Sequence, residues 1–132
     1  MNFIDKAFFD GLHGDDFLQA MTDIYNYSEV REELDKYPRF VRDIILIIDY
    51  DTALQMGGLD DILHGSMADQ ADNIIIALKN AGADDEAELL KKANTLPEDE
   101  LEEIYDSLAL NNDYEGLWDL IRDYIDREMD KK

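Results

Sequence analysis

Two histidines stand in the same five-residue pattern, and they are the first side chains in the chain that could bind a metal ion. The pattern Asp-x-Leu-His-Gly occurs at residues 10–14 and again at 61–65. An aspartate and a histidine three residues apart share one face of a helix, and carboxylate and imidazole are common metal ligands. A simpler interpretation is that each histidine ends a helix, where imidazolium complements the helix dipole and the glycine takes the left-handed conformation. We favour this interpretation and predict no metal site.

Other kinds of site chemistry have weak support. The stretch that begins at Asn111 has acidic side chains at several calcium-loop positions, but Arg122 stands at position twelve, where a bidentate glutamate is required. The chain has no cysteine and no glycine-rich phosphate loop with a lysine, and Ser28, Ser66 and Ser107 lie in no nucleophile-elbow pattern. We therefore predict a protein that is not an enzyme and needs no cofactor. A small metal-dependent hydrolase is the alternative.

The charge balance is the main anomaly of this sequence. Its 132 residues include 33 aspartates and glutamates against 12 lysines and arginines, a formal net charge of −21. Nucleic acid and anionic membrane are excluded as direct partners, because binding to either requires basic side chains. The longest apolar run, Ile44–Ile48, is too short to span a bilayer, and the N-terminus lacks the basic and apolar parts of a signal peptide. We expect a cytoplasmic protein whose partner is a basic protein.

The acids fall into three groups along the chain. On the predicted last helix they recur at spacings of four, four, three and four, which places on one face a set named here the C-terminal track: Glu115, Asp119, Asp123, Asp126 and Asp130. A second set, named the middle cluster, consists of Glu98, Asp99, Glu100, Glu102, Glu103 and Asp106. A third consists of Asp84, Asp85, Glu86 and Glu88.

Three interpretations of these acids remain open. A run of charge is usually a solvated face, and an acidic surface can also be an adaptation to high salt. The third interpretation is a surface of ordered anions. Carboxylates four residues apart on a helix are separated by a rise of about 6 Å, which is on the scale of successive phosphates along a nucleic-acid strand. Like charges at this spacing destabilise a helix by roughly 0.2–0.5 kcal/mol per pair. We therefore favour a functional role and predict that the C-terminal track and the middle cluster, except Glu100, bind the partner.

The elements that must position these acids are helices. Apolar residues recur at helical spacing nearly everywhere, and no clear period-two strand occurs. The pattern predicts an all-α fold in which residues 1–132 form a single compact bundle of about six or seven helices. The helix from Pro38 to about Met56 should be the most buried, although its Ile44–Ile48 run could instead form a strand.

A tight break is predicted where two glycines follow this helix. Gly57 and Gly58 should let Leu59 and the apolar residues after it fold back onto Ile44–Ile48, and at least one of the two glycines should have a positive φ. Capping residues predict the starts of other helices, at Asp15, Ser28, Ser66 with Asp69, Thr95 with Glu98, and Asp113.

Several segments of the chain form a pattern that can be compared with known families: Met56-Gly57-Gly58-Leu59, Asp61-Ile62-Leu63, 77–83, 87–93 and 112–125. In these segments the chain resembles a bacterial family of domains of unknown function that includes a DNA-mimic protein. Around the glycines the chain departs from the family pattern, since Met56 replaces asparagine and Leu59 replaces phenylalanine. The resemblance implies an all-helical fold. For one family member, it implies negative charge that imitates DNA and covers the DNA-binding face of a transcription factor.

These observations together predict an acidic protein-binding module. It would occupy the basic, nucleic-acid-binding surface of a partner protein, such as a transcription factor. An immunity protein or antitoxin that neutralises a basic toxin enzyme is the alternative within binding, and a homodimer is left open. An even spread of acids over the surface would favour salt adaptation instead.

Overall fold

Eight α-helices follow one another along the part of the chain that the structure describes, and no strand occurs in that part. The computed structural model describes residues 2–65 and 68–131, without the side chains of Asp60, Asp61, His64, Glu98, Leu110 and Asn111. The helices are α1 Phe3–Phe9, α2 Gly14–Met21, α3 Arg39–His64, α4 Ala71–Asn80, α5 Asp84–Ala93, α6 Leu101–Ser107, α7 Ala109–Asn112 and α8 Tyr114–Asp130. Helix accounts for 83% of the structure, so the all-α prediction is confirmed, with slightly more helices than expected.

α3 is the element around which the others pack. It contacts α2, α4, α6 and α8, and its most extensive packing is against α4. Every residue of Ile44–Ile48 is buried, in agreement with the prediction that this helix is the most buried, and so are Leu78 of α4 and Ile121 of α8. Because this helix is apolar on nearly all sides along the run, it can be buried only in the middle of the bundle. The alternative of a strand is excluded.

The break at the two glycines is confirmed and lies at Gly58. This residue has φ 74° and ψ −173°, inside a span that is otherwise helical. Leu59, Ile62 and Leu63 are buried beyond it and belong to the same apolar core as Ile44–Ile48. Without the break, a straight helix would carry these three side chains away from the core.

Replacing Gly58 by alanine is expected to destabilise the fold by about 1–3 kcal/mol, because this φ/ψ region is essentially restricted to glycine. A Cβ atom at Gly58 meets nothing within 4 Å, so the cost arises from the backbone and not from crowding. Urea denaturation measures the effect. Met56→Ala, at a neighbouring side chain that is 85% exposed, should change stability by less than about 0.5 kcal/mol. Equal stabilities of the wild type and Gly58→Ala would contradict the prediction.

Several predicted helix starts differ in the structure. Ser28–Lys36 forms a 3₁₀ helix that begins after Tyr27, and Ser28 does not cap it. Thr95 donates its hydroxyl to the Lys92 carbonyl instead of capping the next helix, which is preceded by a 3₁₀ turn at Glu98–Glu100. Asp113 does cap α8, because its carboxylate accepts a hydrogen bond from the Gly116 N–H. The predicted cap at Ser66 lies outside the described residues.

Candidate protein-docking surface

The C-terminal track lies on the outward face of α8. The opposite face carries apolar side chains that are buried in the core, including Leu117, Ile121 and Ile125. Because a helix presents residues three and four apart on one side, this burial turns the track toward solvent. Glu115, Asp119, Asp123 and Asp130 are exposed, and Asp126 is partly buried. Four of the five carboxylates of the track are thus exposed along one face of the helix.

Asp126 has a second role that local sequence does not reveal. Its Oδ1 accepts a hydrogen bond of 2.7 Å from the backbone N–H of Gly14, the first residue of α2. The residue before α2, His13, provides no side-chain cap, so Asp126 satisfies one of the free N–H groups at this helix end. The predicted cap, Asp15, lies instead in the first turn of α2. This hydrogen bond joins the track on α8 to the N-terminus of α2 and restricts its movement.

Arg122 is the cation beside the track. Its guanidinium lies 2.9 Å from Asp119, 3.5 Å from Asp15 and 4.0 Å from Glu115. Arg122 thus lies within ion-pair distance of three carboxylates, and one of them, Asp15, belongs to α2. Asp123 has no ion pair among the described residues. The surface around Arg122 keeps a clear excess of negative charge.

His13 lies at the other end of the track, and its position corrects the prediction that it ends a helix. It precedes α2, with Nδ1 2.8 Å from the Gly11 carbonyl and Nε2 3.2 Å from Asp130. The hydrogen bond to Gly11 and then the carboxylate of Asp130 raise the pKa of His13 above its usual value. Within the described residues, no three histidine and acidic side chains are arranged to hold a metal ion.

The middle cluster is carried by a separate part of the surface. Asp99, Glu100, Glu102, Glu103 and Asp106 are exposed, while Leu101 and Ile104 anchor α6 in the core. α6 packs mainly against α3, α5 and α7, and α7 lies between it and α8. The side chain of Glu98 lies outside the described residues. The two predicted docking sets are therefore carried by different helices.

Three acidic side chains are buried, and one of them, Glu86, belongs to the third cluster. Glu86 of the third cluster is 2% exposed, and the fully buried Asp43 and the nearly buried Asp49 lie on α3. Each accepts a hydrogen bond from a tyrosine hydroxyl on another segment, at 3.0 Å from Tyr50 for Glu86, 2.7 Å from Tyr124 for Asp43 and 2.6 Å from Tyr25 for Asp49. The third cluster is therefore partly structural.

Tyrosines supply hydrogen bonds that the few basic residues cannot. At least five of the seven tyrosines donate to a carboxylate, since the pairs Tyr37–Asp5 and Tyr114–Asp51 nearer the surface add to the three pairs with buried carboxylates. A phenol is a neutral donor that can be buried at lower cost than an ammonium or guanidinium. The only hint of this arrangement in the sequence is the number of tyrosines beside so few lysines and arginines.

The tyrosine–carboxylate pairs make stability sensitive to high pH. Burial, and then the hydrogen bond to Asp49, raise the pKa of Tyr25 to about 12, and burial also raises the pKa of Tyr50 and Tyr124. A folded-state pKa above the unfolded value means that the folded protein holds the proton more tightly. The resulting stabilisation is fully present below about pH 10, the pKa of a free tyrosine. It is lost as the pH rises through about 12.

Tyr25→Phe is expected to lower stability at neutral pH by about 0.5–1 kcal/mol, since Tyr25 is half exposed and its hydrogen bond is partly screened. The same substitution should flatten the loss of stability between pH 10 and pH 12. Urea denaturation at a series of pH values measures both effects. Tyr27→Phe is the control, because the Tyr27 hydroxyl makes no hydrogen bond within the described chain. Identical pH profiles for the Tyr25 variant and the wild type would refute the prediction.

The fold and these surfaces define an acidic all-α protein that displays rows of carboxylates on well-anchored helices. No described helix is both long and apolar enough to cross a membrane. The chain belongs to the DMP19-like protein family, whose profile matches residues 35–131 and whose namesake is a DNA mimic protein. The match runs from the end of the 3₁₀ segment before α3 through α8, and so includes Gly58, the middle cluster and the C-terminal track. Comparisons with curated proteins and with solved structures gave no match.

Proposed function

We propose that this protein is a DNA mimic that binds the basic, nucleic-acid-binding surface of a partner protein. The observation that carries the proposal is the C-terminal track, with exposed carboxylates on one face of α8 and an excess of negative charge around Arg122. Membership of the DMP19-like family supports the same class of function. A transcription factor is the partner type that best fits this chemistry, because its lysines and arginines are arranged to meet a row of phosphates.

Rigidity is the second requirement for a mimic, and the anchoring of α8 supplies it. Asp113 caps the N-terminus of α8, and Tyr124, in the middle of the helix, donates a hydrogen bond to Asp43 of α3. Asp126, near the C-terminus of α8, accepts a hydrogen bond from the first N–H group of α2. Because each anchor fixes α8 at a different turn, the exposed carboxylates keep their spacing without help from a partner. A preorganised row of charges binds more tightly than a flexible one, since less conformational entropy is lost on binding.

The test begins with affinity capture of the partner from the native host at low salt, followed by washing at high salt. Binding through exposed charges should weaken as salt rises, because such charges are screened over about 8–10 Å near physiological ionic strength. The recovered partner is then bound to labelled duplex DNA, and the protein is added. The proposal predicts that the protein and DNA exclude one another.

A stable ternary complex of partner, DNA and this protein would refute the mimicry proposal. So would capture that is indifferent to salt. If the partner is instead an enzyme whose activity is blocked while its DNA binding is unchanged, the function is that of an immunity protein or antitoxin. A protein that captures no partner from its host at low salt would favour salt adaptation as the reason for the acidic surface.

A further inference from the structure

A groove between α2, α3 and α8 lies next to the C-terminal track. It is open to solvent, has a volume of about 300 Å³, and is lined by three aromatic side chains: Tyr25, Tyr114 and Trp118. The two tyrosines are 50% and 39% exposed, and Trp118 is 7% exposed. Aromatic anchors beside charged groups are typical of the energetic centre of a protein interface. The groove is close to the smallest size that binds a discrete ligand group.

Asp51 places a negative charge in this groove without a matching cation. Its carboxylate accepts hydrogen bonds from Gln55 Nε2 at 2.7 Å and from the Tyr114 hydroxyl at 3.2 Å, and both donors are neutral. No lysine, arginine or histidine of the described chain forms an ion pair with it. Arg122 also lines the groove, but its guanidinium is already surrounded by Asp15, Glu115 and Asp119. The groove therefore favours a cation from outside.

The indole N–H of Trp118 is the second feature that indicates a ligand. It is buried and makes no hydrogen bond of standard geometry within the described structure, although the Tyr114 hydroxyl lies close to it. The Tyr114 ring packs against the indole at 66°, with ring centroids 6.0 Å apart. Leaving a buried donor unpaired costs free energy that an incoming acceptor would recover. The ligand should thus carry an acceptor as well as a positive charge.

We propose that the groove binds an arginine of the partner protein, an inference that rests on the proposed function and gives it a specific anchor residue. The guanidinium bonds Asp51 and stacks on the ring of Tyr114, while a main-chain carbonyl beside the arginine accepts from Trp118. Because that N–H is shielded, Tyr114 turns aside as the arginine enters. Arginine suits the groove better than lysine, since a planar guanidinium both stacks on aromatic rings and bonds carboxylates with two N–H groups.

The molecule already contains this arrangement at an adjacent position. The guanidinium of Arg31 lies 5.8 Å from the centre of the Tyr25 ring and donates two hydrogen bonds to Asp49, at 2.7 and 2.8 Å. Tyr114 and Asp51 offer the same pair of groups, an aromatic ring and an α3 carboxylate, but no arginine in the described part of the chain is bonded to Asp51. The internal example shows that the geometry of α3 is compatible with such a contact.

The test uses the single tryptophan as a reporter. One tryptophan gives one indole N–H signal in a ¹H–¹⁵N spectrum. The probe is the tripeptide acetyl-Gly-Arg-Gly-amide at low salt, which carries both the guanidinium and the main-chain carbonyls. We expect a saturable downfield shift of the indole proton as it gains an acceptor. Asp51→Asn should weaken the apparent affinity about 5- to 10-fold by removing a charge-assisted hydrogen bond. Acetyl-Gly-Lys-Gly-amide should bind more weakly than the arginine peptide.

Asp123→Asn is the matched control, because it removes one exposed charge from α8 outside the groove and should change the affinity less than about 2-fold. An indole signal that does not respond to the arginine peptide overturns the inference. So does an equal response to the lysine peptide, or one that Asp51→Asn leaves unchanged. The tripeptide requires neither the partner nor DNA. If the tripeptide does not bind but this protein still excludes DNA from the partner, the groove proposal is rejected and the proposed function is retained. If the tripeptide binds but DNA is not excluded, only the mimicry proposal is rejected.

Discussion

Asp43→Ala is expected to destabilise the protein by about 2–4 kcal/mol, the range for removing one member of a buried hydrogen-bond network. The Asp43 carboxylate is fully buried and accepts from Arg39 at 3.1 Å, Asn80 at 3.0 Å and Tyr124 at 2.7 Å. It therefore joins α3 to α4 and α8. Without it, the buried hydroxyl of Tyr124 loses its acceptor, whereas the more exposed Arg39 and Asn80 can turn toward water.

Urea denaturation followed by circular dichroism measures this loss. Asp123→Ala removes the same group from an exposed position on α8 and should change stability by less than about 0.5 kcal/mol. Tyr124→Phe should cost less than Asp43→Ala, because it removes one donor and leaves the carboxylate paired with Arg39 and Asn80. A loss below about 1 kcal/mol for Asp43→Ala would show that the network is not the junction we describe.

Neutralising the exposed part of the C-terminal track is expected to weaken partner binding by roughly 10- to 100-fold at low salt, which corresponds to about 1.4–2.8 kcal/mol spread over four rim charges. The variant replaces Glu115 by glutamine and Asp119, Asp123 and Asp130 by asparagine, so that shape is kept and charge is removed. Asp126 is left in place because it caps α2. Slower association should account for most of the change, since rim charges steer the encounter. The difference from the wild type should shrink as salt rises.

A variant with the same change in net charge serves as the control. It replaces exposed acids that have no ion pair or hydrogen bond through their side chains in the described structure and lie off the track: Glu29, Asp35, Asp72 and Asp85. Surface plasmon resonance with the captured partner compares the two variants. Track-specific binding requires a clearly larger loss for the track variant, while equal losses would mean that net charge and not the track governs binding. The track variant should also be slightly more stable than the wild type, because repulsion along α8 is relieved.

The helices themselves could be predicted because the signals that define them are local. Apolar side chains at helical spacing predict α3 and α8, and the burial of Ile44, Ile48 and Ile121 confirms those predictions. Gly58 could be predicted for a similar reason, since only glycine adopts its backbone conformation without strain. The outward direction of the C-terminal track followed from the same periodicity. Whether that track and the middle cluster bind a partner remains a prediction.

What only the tertiary structure decided is the role of each acid. The local sequence pattern does not show that Asp43 and Glu86 are buried whereas Asp123 is exposed. Their partners lie far along the chain: Tyr124 is 81 residues from Asp43, and Tyr50 is 36 residues from Glu86. Asp126 caps a helix that begins 112 residues earlier. The periodicity of the sequence determined which face of each helix is apolar. A hydrogen bond, in contrast, depends on the distance and angle between two groups in space, so only the packing of the helices selected the carboxylates that are buried.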